Sequence, residues 1–365
     1  MAVTQGWRLS LLLLGRLLML APAAARPLPP APEQLLQAAV RADDLAMAGP
    51  GGWWNDLPEF NDRLDPGAGA GAVTSVTAHV FGKPDDAPAE VATTLQLYAS
   101  AAAAAAAFDA TAGDDARDDG TPVDGPGIGD ESRYLHQPAS SEHEGTSALR
   151  FRWGGYTARI EAAGAASAMA RDQMAALGQM VLVRLRQLEA GTLGVPALPG
   201  LARDLPPADP AFGQVLGTAA LSREALSWIW SKESSALAVS GPLRVLLKEG
   251  AGDGQPLLRR YGLAASPAHV ADLVVMPFRD AAAAGRFLLE LRREDARRAA
   301  GANDEGAVEP AAPIPDVAPA WRADLRVGRY IVEVSCVAPF APTSTLCAAA
   351  AKDLAARAKA SLPQK

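Results

Sequence analysis

Two segments of this chain resemble each other, and this internal similarity constrains the fold more than any other feature of the sequence. Ala89–Phe108 aligns without gaps against Ala268–Phe287. The identities are Ala89, Val91, Ala92, Ala102 to Ala105 and Phe108. Alanine is abundant here, but the shared valine, the shared phenylalanine and the common order of elements favour an internal duplication.

A second similarity does not depend on alanine. Arg152–Tyr156 reads RWGGY and Arg326–Tyr330 reads RVGRY. Each segment predicts a β-hairpin whose two-residue turn begins with glycine, and such a turn fixes which residues face each other. The predicted facing pairs are Trp153–Tyr156, Phe151–Ala158, Leu149–Ile160 and Arg150–Arg159 in the first hairpin, and Val327–Tyr330, Leu325–Val332 and Ala323–Val334 in the second.

The same order of elements is predicted around both hairpins: a strand, an alanine-rich helix, a polar loop, the hairpin and a closing helix. The predicted elements are strands 73–81, 91–98 and 270–278, and helices 33–46, 101–108, 168–188, 222–230, 280–298 and 345–360, with Ser100 and Asp280 as N-caps. We therefore expect an α+β fold of two tandem duplicated domains. Each domain should hold an antiparallel sheet with a tight hairpin, packed against alanine-rich helices.

The chain begins with features typical of an exported protein. Arg8 precedes a leucine-rich run, and Ala23-x-Ala25 matches a signal-peptide cleavage site. No later run is long and apolar enough to predict a transmembrane segment. The predicted domains are a signal peptide at 1–25, a proline-rich linker at 26–32, the first repeat at 33–190, a proline-rich interdomain linker at 191–213 and the second repeat at 214–365. We expect a secreted or extracytoplasmic protein.

The acidic charge is concentrated in one segment. The chain has a formal net charge of −7, which argues against a general nucleic-acid-binding protein. Residues 109–146 hold ten acidic side chains and two arginines, and we predict that they form a disordered acidic loop in the first repeat. The rest of the chain is nearly neutral.

Only two cysteines are present, Cys336 and Cys347. In an oxidising compartment an isolated pair at this spacing predicts a structural disulfide. A redox-active pair usually has the closer Cys-x-x-Cys spacing. The sequence indicates no metal site and no cofactor.

No recognisable catalytic motif is present, so we expect a non-enzymatic module that binds an extracytoplasmic ligand or a partner protein across its two domains. The candidate binding residues are two equivalent arginines, Arg152 and Arg326, which could hold an anion, and two tryptophans, Trp53 and Trp54. The tryptophans could instead fill the core of a chain that is poor in aromatic residues.

Two alternatives remain open from the sequence. One is an extracytoplasmic hydrolase that uses carboxylates near the acidic loop, such as Asp130 and Glu131, with Tyr156 nearby in the sequence. Catalytic groups converge in space and not in sequence, so missing motifs do not exclude it. The other alternative is a structural protein of the cell envelope.

Overall fold

The structure is a computed structural model. It describes residues 29–45, 53–55, 58–60, 71–82, 89–112, 122–138, 145–164, 166, 169–194, 197–221, 241–302, 321–337 and 344–363. Residues Ala31–Lys365 form one compact unit. The predicted signal peptide (1–25), the predicted helix 222–230 and the side chain of Trp54 lie outside the described part of the chain.

An antiparallel sheet occupies the first half. Its described strands are β1 (Trp53–Asn55), β2 (Glu59–Phe60), β3 (Ala72–Gly82), β4 (Ala89–Tyr98), β5 (Pro122–Asp124), β6 (Glu131–Gln137), β7 (Thr146–Trp153) and β8 (Tyr156–Gly164). Their order across the sheet is β1-β3-β4-β8-β7-β6-β5, and β2 also pairs with β3. In β4 and β8 buried and partly exposed residues alternate, as expected for strands with one face on a core.

A second antiparallel sheet occupies the other half. Its described strands are β9 (Gly213–Ala220), β10 (Leu257–Leu263), β11 (Ser266–Pro277), β12 (Trp321–Val327) and β13 (Tyr330–Val337), in the order β12-β13-β11-β10-β9. The described helices are α1 (Pro32–Leu36), α2 (Ala42–Leu45), α3 (Ala101–Ala110), α4 (Arg171–Glu189), α5 (Gly241–Glu249), α6 (Ala281–Ala302) and α7 (Ser344–Ser361). The α+β fold class, with two antiparallel sheets packed against helices, is confirmed.

Both predicted hairpins are confirmed in register. Every predicted facing pair is observed, including Arg150 opposite Arg159. Gly154 and Gly328 begin the two turns with the same positive φ of 54°, a conformation that favours glycine. The N-caps are also confirmed, because Ser100 Oγ accepts from the Ala103 N–H at 3.1 Å and Asp280 Oδ1 from the Ala283 N–H at 2.6 Å.

The two halves share one arrangement of elements. In the first, β3-β4-β8-β7 lie side by side, and β10-β11-β13-β12 lie in the same order in the second. An equivalent backbone hydrogen bond ties the end of the second strand to each hairpin turn, from Tyr98 N–H to Gly155 at 2.8 Å and from Phe278 N–H to Arg329 at 2.9 Å.

The sheet register corrects the sequence alignment by one position. Helices α3 and α6 begin at Ala101 and Ala281, and Leu95 faces Ala158 as Val275 faces Val332. The ungapped alignment, which pairs Ala101 with Asp280, is therefore wrong for these elements. A slip of one position exchanges the two faces of a strand. The ungapped alignment therefore paired core residues with residues of the opposite face.

The closing helices pack on equivalent faces. In α4 the side chains of Met174, Val181 and Leu185 share a core with strands of the first sheet. In α7, Ala351, Leu354 and Ala358 share a separate core with the second sheet. The core under α4 is continuous with the α6 side of the second sheet, so apolar packing joins the two sheets.

Part of the segment predicted as a disordered acidic loop is folded. Within 109–146, that prediction is wrong for β5 and β6, which extend the first sheet beyond β7. Tyr134 and Leu135 are buried, which explains why this stretch pairs with β7 despite its acidic neighbours. The density of acidic residues in the sequence led to a prediction of disorder, although these two apolar residues allow the strand to form.

The segment predicted as an interdomain linker, 191–213, packs on the second sheet over its described part. Leu205 and Phe212 are buried in the core of that sheet. The Tyr261 hydroxyl donates to the Pro206 carbonyl at 2.6 Å, and the Arg259 guanidinium donates to three carbonyls of the segment. These bonds satisfy backbone groups that would otherwise be buried without partners.

The predicted disulfide is present between Cys336 and Cys347. Cys336 lies on β13 and Cys347 in the first turn of α7, and both are fully buried. The bond therefore fixes the start of the closing helix to the sheet on which it packs. No described helix is both long enough and apolar enough to cross a bilayer.

Candidate ligand-binding pocket

Helix α1 bridges the two sheets. It packs against β3 of the first sheet and β9 of the second. Leu35 is fully buried between them, whereas Glu33, Leu36 and Gln37 are partly exposed. Residues three and four apart lie on the same side of a helix, so these three side chains share one side, on which Leu36 also packs against the core.

The sequence predicted one helix over 33–46, and the structure has two short helices instead. The break lies at residues 37–41, where the Arg41 N–H donates to Asp44 Oδ2 at 2.8 Å and starts α2. Arg184 of α4 donates to the Ala39 carbonyl at 2.9 Å. A side chain from a distant helix thus satisfies a backbone group that a continuous helix would have paired.

Arg184 also holds Asp44 by a fork of two hydrogen bonds, at 2.7 and 2.6 Å. The side chains are 18% and 9% exposed, so the pair is largely buried. Burial opposes ionisation of Asp44, but the Arg184 guanidinium and the Arg41 N–H outweigh it and hold the pKa of Asp44 below its ordinary value. The pair fixes α2 to α4, and the Ala39 hydrogen bond fixes the turn that precedes α2.

A pocket of about 290 Å³ lies beside α1, between the two sheets. The first sheet contributes Ala78 and His79 of β3, and the second contributes 218–220 of β9. The remaining lining residues come from α1 and from neighbouring turns: Glu33, Leu36, Gln37, Val40, Arg41, Pro58, Ala197, Leu198 and Gln255. Such a volume is at the lower end for small-molecule sites.

The polar groups of this pocket converge from different parts of the chain. His79 is held by a hydrogen bond of 2.7 Å between Nδ1 and Glu90 Oε1, and the Thr218 hydroxyl accepts from Arg259 Nε at 2.9 Å. Burial and the nearby Arg184 lower the pKa of Arg41, and Asp44 and Asp43 partly offset this. The pocket thus combines apolar walls with a few fixed polar groups, as small-ligand sites do.

The structure places the predicted arginines at equivalent turns but in different contacts. Arg152 donates to Glu131 at 3.1 Å and to Asp130 at 3.4 Å, whereas Arg326 donates to the Ala281 carbonyl at 3.1 Å. Neither lines the pocket. Both guanidinium groups are therefore used at least in part by the protein itself.

Trp53 packs against the core of the first sheet, and its ring lies against Gly82. A Cβ at Gly82 would approach the ring to 2.6 Å, so the small residue makes room for the indole. The indole nitrogen is buried and has no hydrogen-bond partner among the residues that the structure describes. This environment is that of a core residue.

The carboxylates of the hydrolase alternative do not lie with Tyr156. Glu131 faces Arg152 across β6 and β7, whereas Tyr156 faces Trp153, the next residue along β7. Neighbouring residues of a strand point to opposite faces, so Glu131 and Tyr156 are on opposite sides of the sheet. Asp130 accepts the Gly154 N–H at 2.9 Å and holds the turn.

Sequence reasoning missed the pocket residues Arg41 and His79. One signal was available: Glu33, Gln37 and Arg41 recur at every fourth position in a stretch whose other residues, apart from Gln34, are apolar, and that spacing predicts one polar helix face. The break after α1 and the approach of β9 depend on Arg184 and on long-range packing. No local pattern encodes those contacts.

No known protein family and no curated protein matches this sequence. Among solved structures, the chain is similar to the extracellular domain of PknH from Mycobacterium tuberculosis, with 12% sequence identity and a TM-score of 0.32. The similarity covers 44% of this chain and 98% of that domain. A TM-score this low does not establish a common fold.

Proposed function

We propose that this chain is an extracytoplasmic, non-enzymatic module that binds a small ligand in the pocket between its two sheets. The observation that carries the proposal is the composition of the pocket wall, because β3, β9 and α1 all contribute to it. Sites between packed layers are common places for ligand recognition. The disulfide supports the extracytoplasmic location, since such bonds persist in oxidising compartments.

We also propose that the two halves arose by duplication. The shared strand order, the equivalent turns and the equivalent hydrogen bonds of Tyr98 and Phe278 support this origin. Duplicated layers that pack against each other create a new interface that neither copy has alone. The pocket lies at that interface.

Ligand-observed NMR with a library of small metabolites tests the proposed function. The library should contain neutral, cationic and anionic members. Ala220→Phe places an aromatic ring at the exposed end of β9, where Ala220 lines the pocket. Gln214→Phe makes the same kind of change at an exposed position of β9 outside the pocket.

We expect at least one library member to bind the wild-type chain and the Gln214→Phe variant but not Ala220→Phe. If no member binds the wild-type chain, or if Ala220→Phe binds every ligand equally well, the proposed function is wrong. Circular dichroism of both variants checks that the fold is retained.

A further inference from the structure

We infer that the ligand of this pocket is a small organic anion, held by the guanidinium group of Arg41. The inference rests on the proposed function and adds the chemical class of the ligand. It depends on three features of the pocket: the hydrogen bonds of Arg41, the use of Asp44 by Arg184, and the position of Glu33.

The first feature is the incomplete hydrogen bonding of Arg41. One terminal nitrogen donates to the Gln37 carbonyl at 2.6 Å and lies 3.4 Å from the Gln37 side-chain oxygen. A guanidinium group carries five N–H donors in a fixed plane. Within the described ranges, no carboxylate pairs with this side chain, so most of its donors remain available at the pocket wall.

The second feature is the use of Asp44 by Arg184. Arg41 and Arg184 both lie near this carboxylate, and Arg184 takes both of its oxygens at 2.7 and 2.6 Å. Arg184 thus occupies the carboxylate nearest to Arg41, and Asp43 attracts Arg41 only electrostatically, while Arg41 is half-buried. Within the described residues no carboxylate forms an ion pair with the Arg41 guanidinium, and incomplete pairing of a partly buried charge is costly, so a bound anion would lower that cost.

The third feature restricts the ligand to a single anionic group. Glu33 also lines the pocket, and its negative charge would repel a ligand with several anionic groups. A single carboxylate or phosphate fits the planar fork of an arginine. Leu36, Val40 and Ala219 provide apolar walls for an organic body attached to that group.

Matched pairs of small acids and their neutral amides test the inference, at constant ionic strength. Binding is measured by NMR titration to wild-type protein and to Arg41→Gln, Arg41→Lys, Ala220→Phe and Arg293→Gln. Arg293 is 61% exposed and does not line the pocket, so its replacement removes an equal charge elsewhere. Arg41→Lys keeps the charge but loses the planar fork.

We expect at least one acid to bind the wild-type chain at least tenfold more tightly than its amide. Arg41→Gln should lose this preference, Arg41→Lys should retain part of it, and Arg293→Gln should behave as wild type. If an acid binds Arg41→Gln as well as wild type, the inferred role of Arg41 is wrong.

Failure of this inference differs from failure of the proposed function. If amides bind as tightly as acids and Ala220→Phe abolishes both, the pocket binds ligands but its preference for anions is wrong. If neither acids nor amides bind wild-type protein, the inferred preference for anions is wrong, and the mixed library alone decides the proposed function. If Arg41→Gln does not fold, the acid-to-amide ratio of Arg41→Lys decides: a ratio equal to that of wild type overturns the role of the fork.

Discussion

The two closing helices carry equivalent arginines in different surroundings. Buried Met174, Gly178, Val181 and Leu185 of α4 correspond, at the same spacing, to buried Cys347, Ala351, Leu354 and Ala358 of α7. The same spacing relates Arg184 to Arg357. Each arginine pairs with an aspartate that precedes the sheet of its own half, Asp44 in the first and Asp209 in the second.

The difference between these two pairs is their exposure. Arg184 and Asp44 are 18% and 9% exposed, whereas Arg357 and Asp209 are both 32% exposed, and Arg357 is shared with Asp353. Only the second half adds a disulfide, at the start of its closing helix. One closing helix is therefore attached through a buried ion pair, and the other through a covalent bond together with a more exposed ion pair.

The largest effect is expected from Arg184→Gln. This change leaves the buried carboxylate of Asp44 without its partner, which costs about 3 kcal/mol of unfolding free energy. Chemical denaturation measures the loss. Arg186→Gln, on the exposed side of the same helix, is the control and should cost far less. An Arg184→Gln variant as stable as that control would show that the first attachment does not depend on the ion pair.

Removal of the disulfide should have a similar or slightly smaller effect, confined to the second half. Cys336→Ala together with Cys347→Ala should destabilise the protein by about 3 kcal/mol, because the unfolded chain gains entropy. Hydrogen exchange should show loss of protection in α7 before α4. Equal loss in both helices would contradict the separate attachment of the two.

High pH should weaken the second half through Tyr261. Burial raises the pKa of Tyr261 from 10.0 to about 12, despite the nearby Arg259 and Arg357. In the first half, Val80 takes the equivalent position and cannot titrate. Because the folded-state pKa is raised, the stabilisation that un-ionised Tyr261 gives to the folded state is complete below pH 10. It falls by about 3 kcal/mol as the pH rises towards 12.

Tyr261→Phe isolates this contribution. The variant keeps the ring but loses the hydrogen bond to the Pro206 carbonyl, which costs about 1 kcal/mol at neutral pH. Denaturation midpoints measured between pH 9 and 12 should therefore fall less steeply than those of wild type. Parallel pH profiles for the two proteins would show that Tyr261 is not the titrating group.

The smallest effect is expected from Arg357→Gln. Its partners Asp209 and Asp353 are exposed, and exposed ion pairs contribute little because water and salt screen them. The shift in the denaturation midpoint should be several times smaller than that of Arg184→Gln, and it should shrink further in high salt. A shift as large as that of Arg184→Gln would remove the contrast between the two halves.

Local patterns predicted the parts of this fold that depend on near neighbours. Two glycine turns determined the register of both hairpins, and Ser100 and Asp280 marked helix starts, because turns and caps involve residues only a few positions apart. The disulfide followed from the presence of only two cysteines.

Features that depend on distant contacts were not predictable in this way. The break between α1 and α2 relies on Arg184, which lies far along the chain in α4. The pocket joins Glu33 to Gln255, and β6 is stabilised by pairing with β7. For the same reason, only the sheet register could correct the alignment by one position.

Helix α1 also waits during synthesis for a partner strand that is far along the chain. It packs on β9, but the whole of the first sheet and helix α4 lie between the two in the sequence. At the usual speed of translation, that length of chain takes roughly 10 to 35 s to make. Until then, Leu35 has only part of its burial site, and the pocket has one wall missing. Ligand binding would therefore require that synthesis has passed β9 and Gln255.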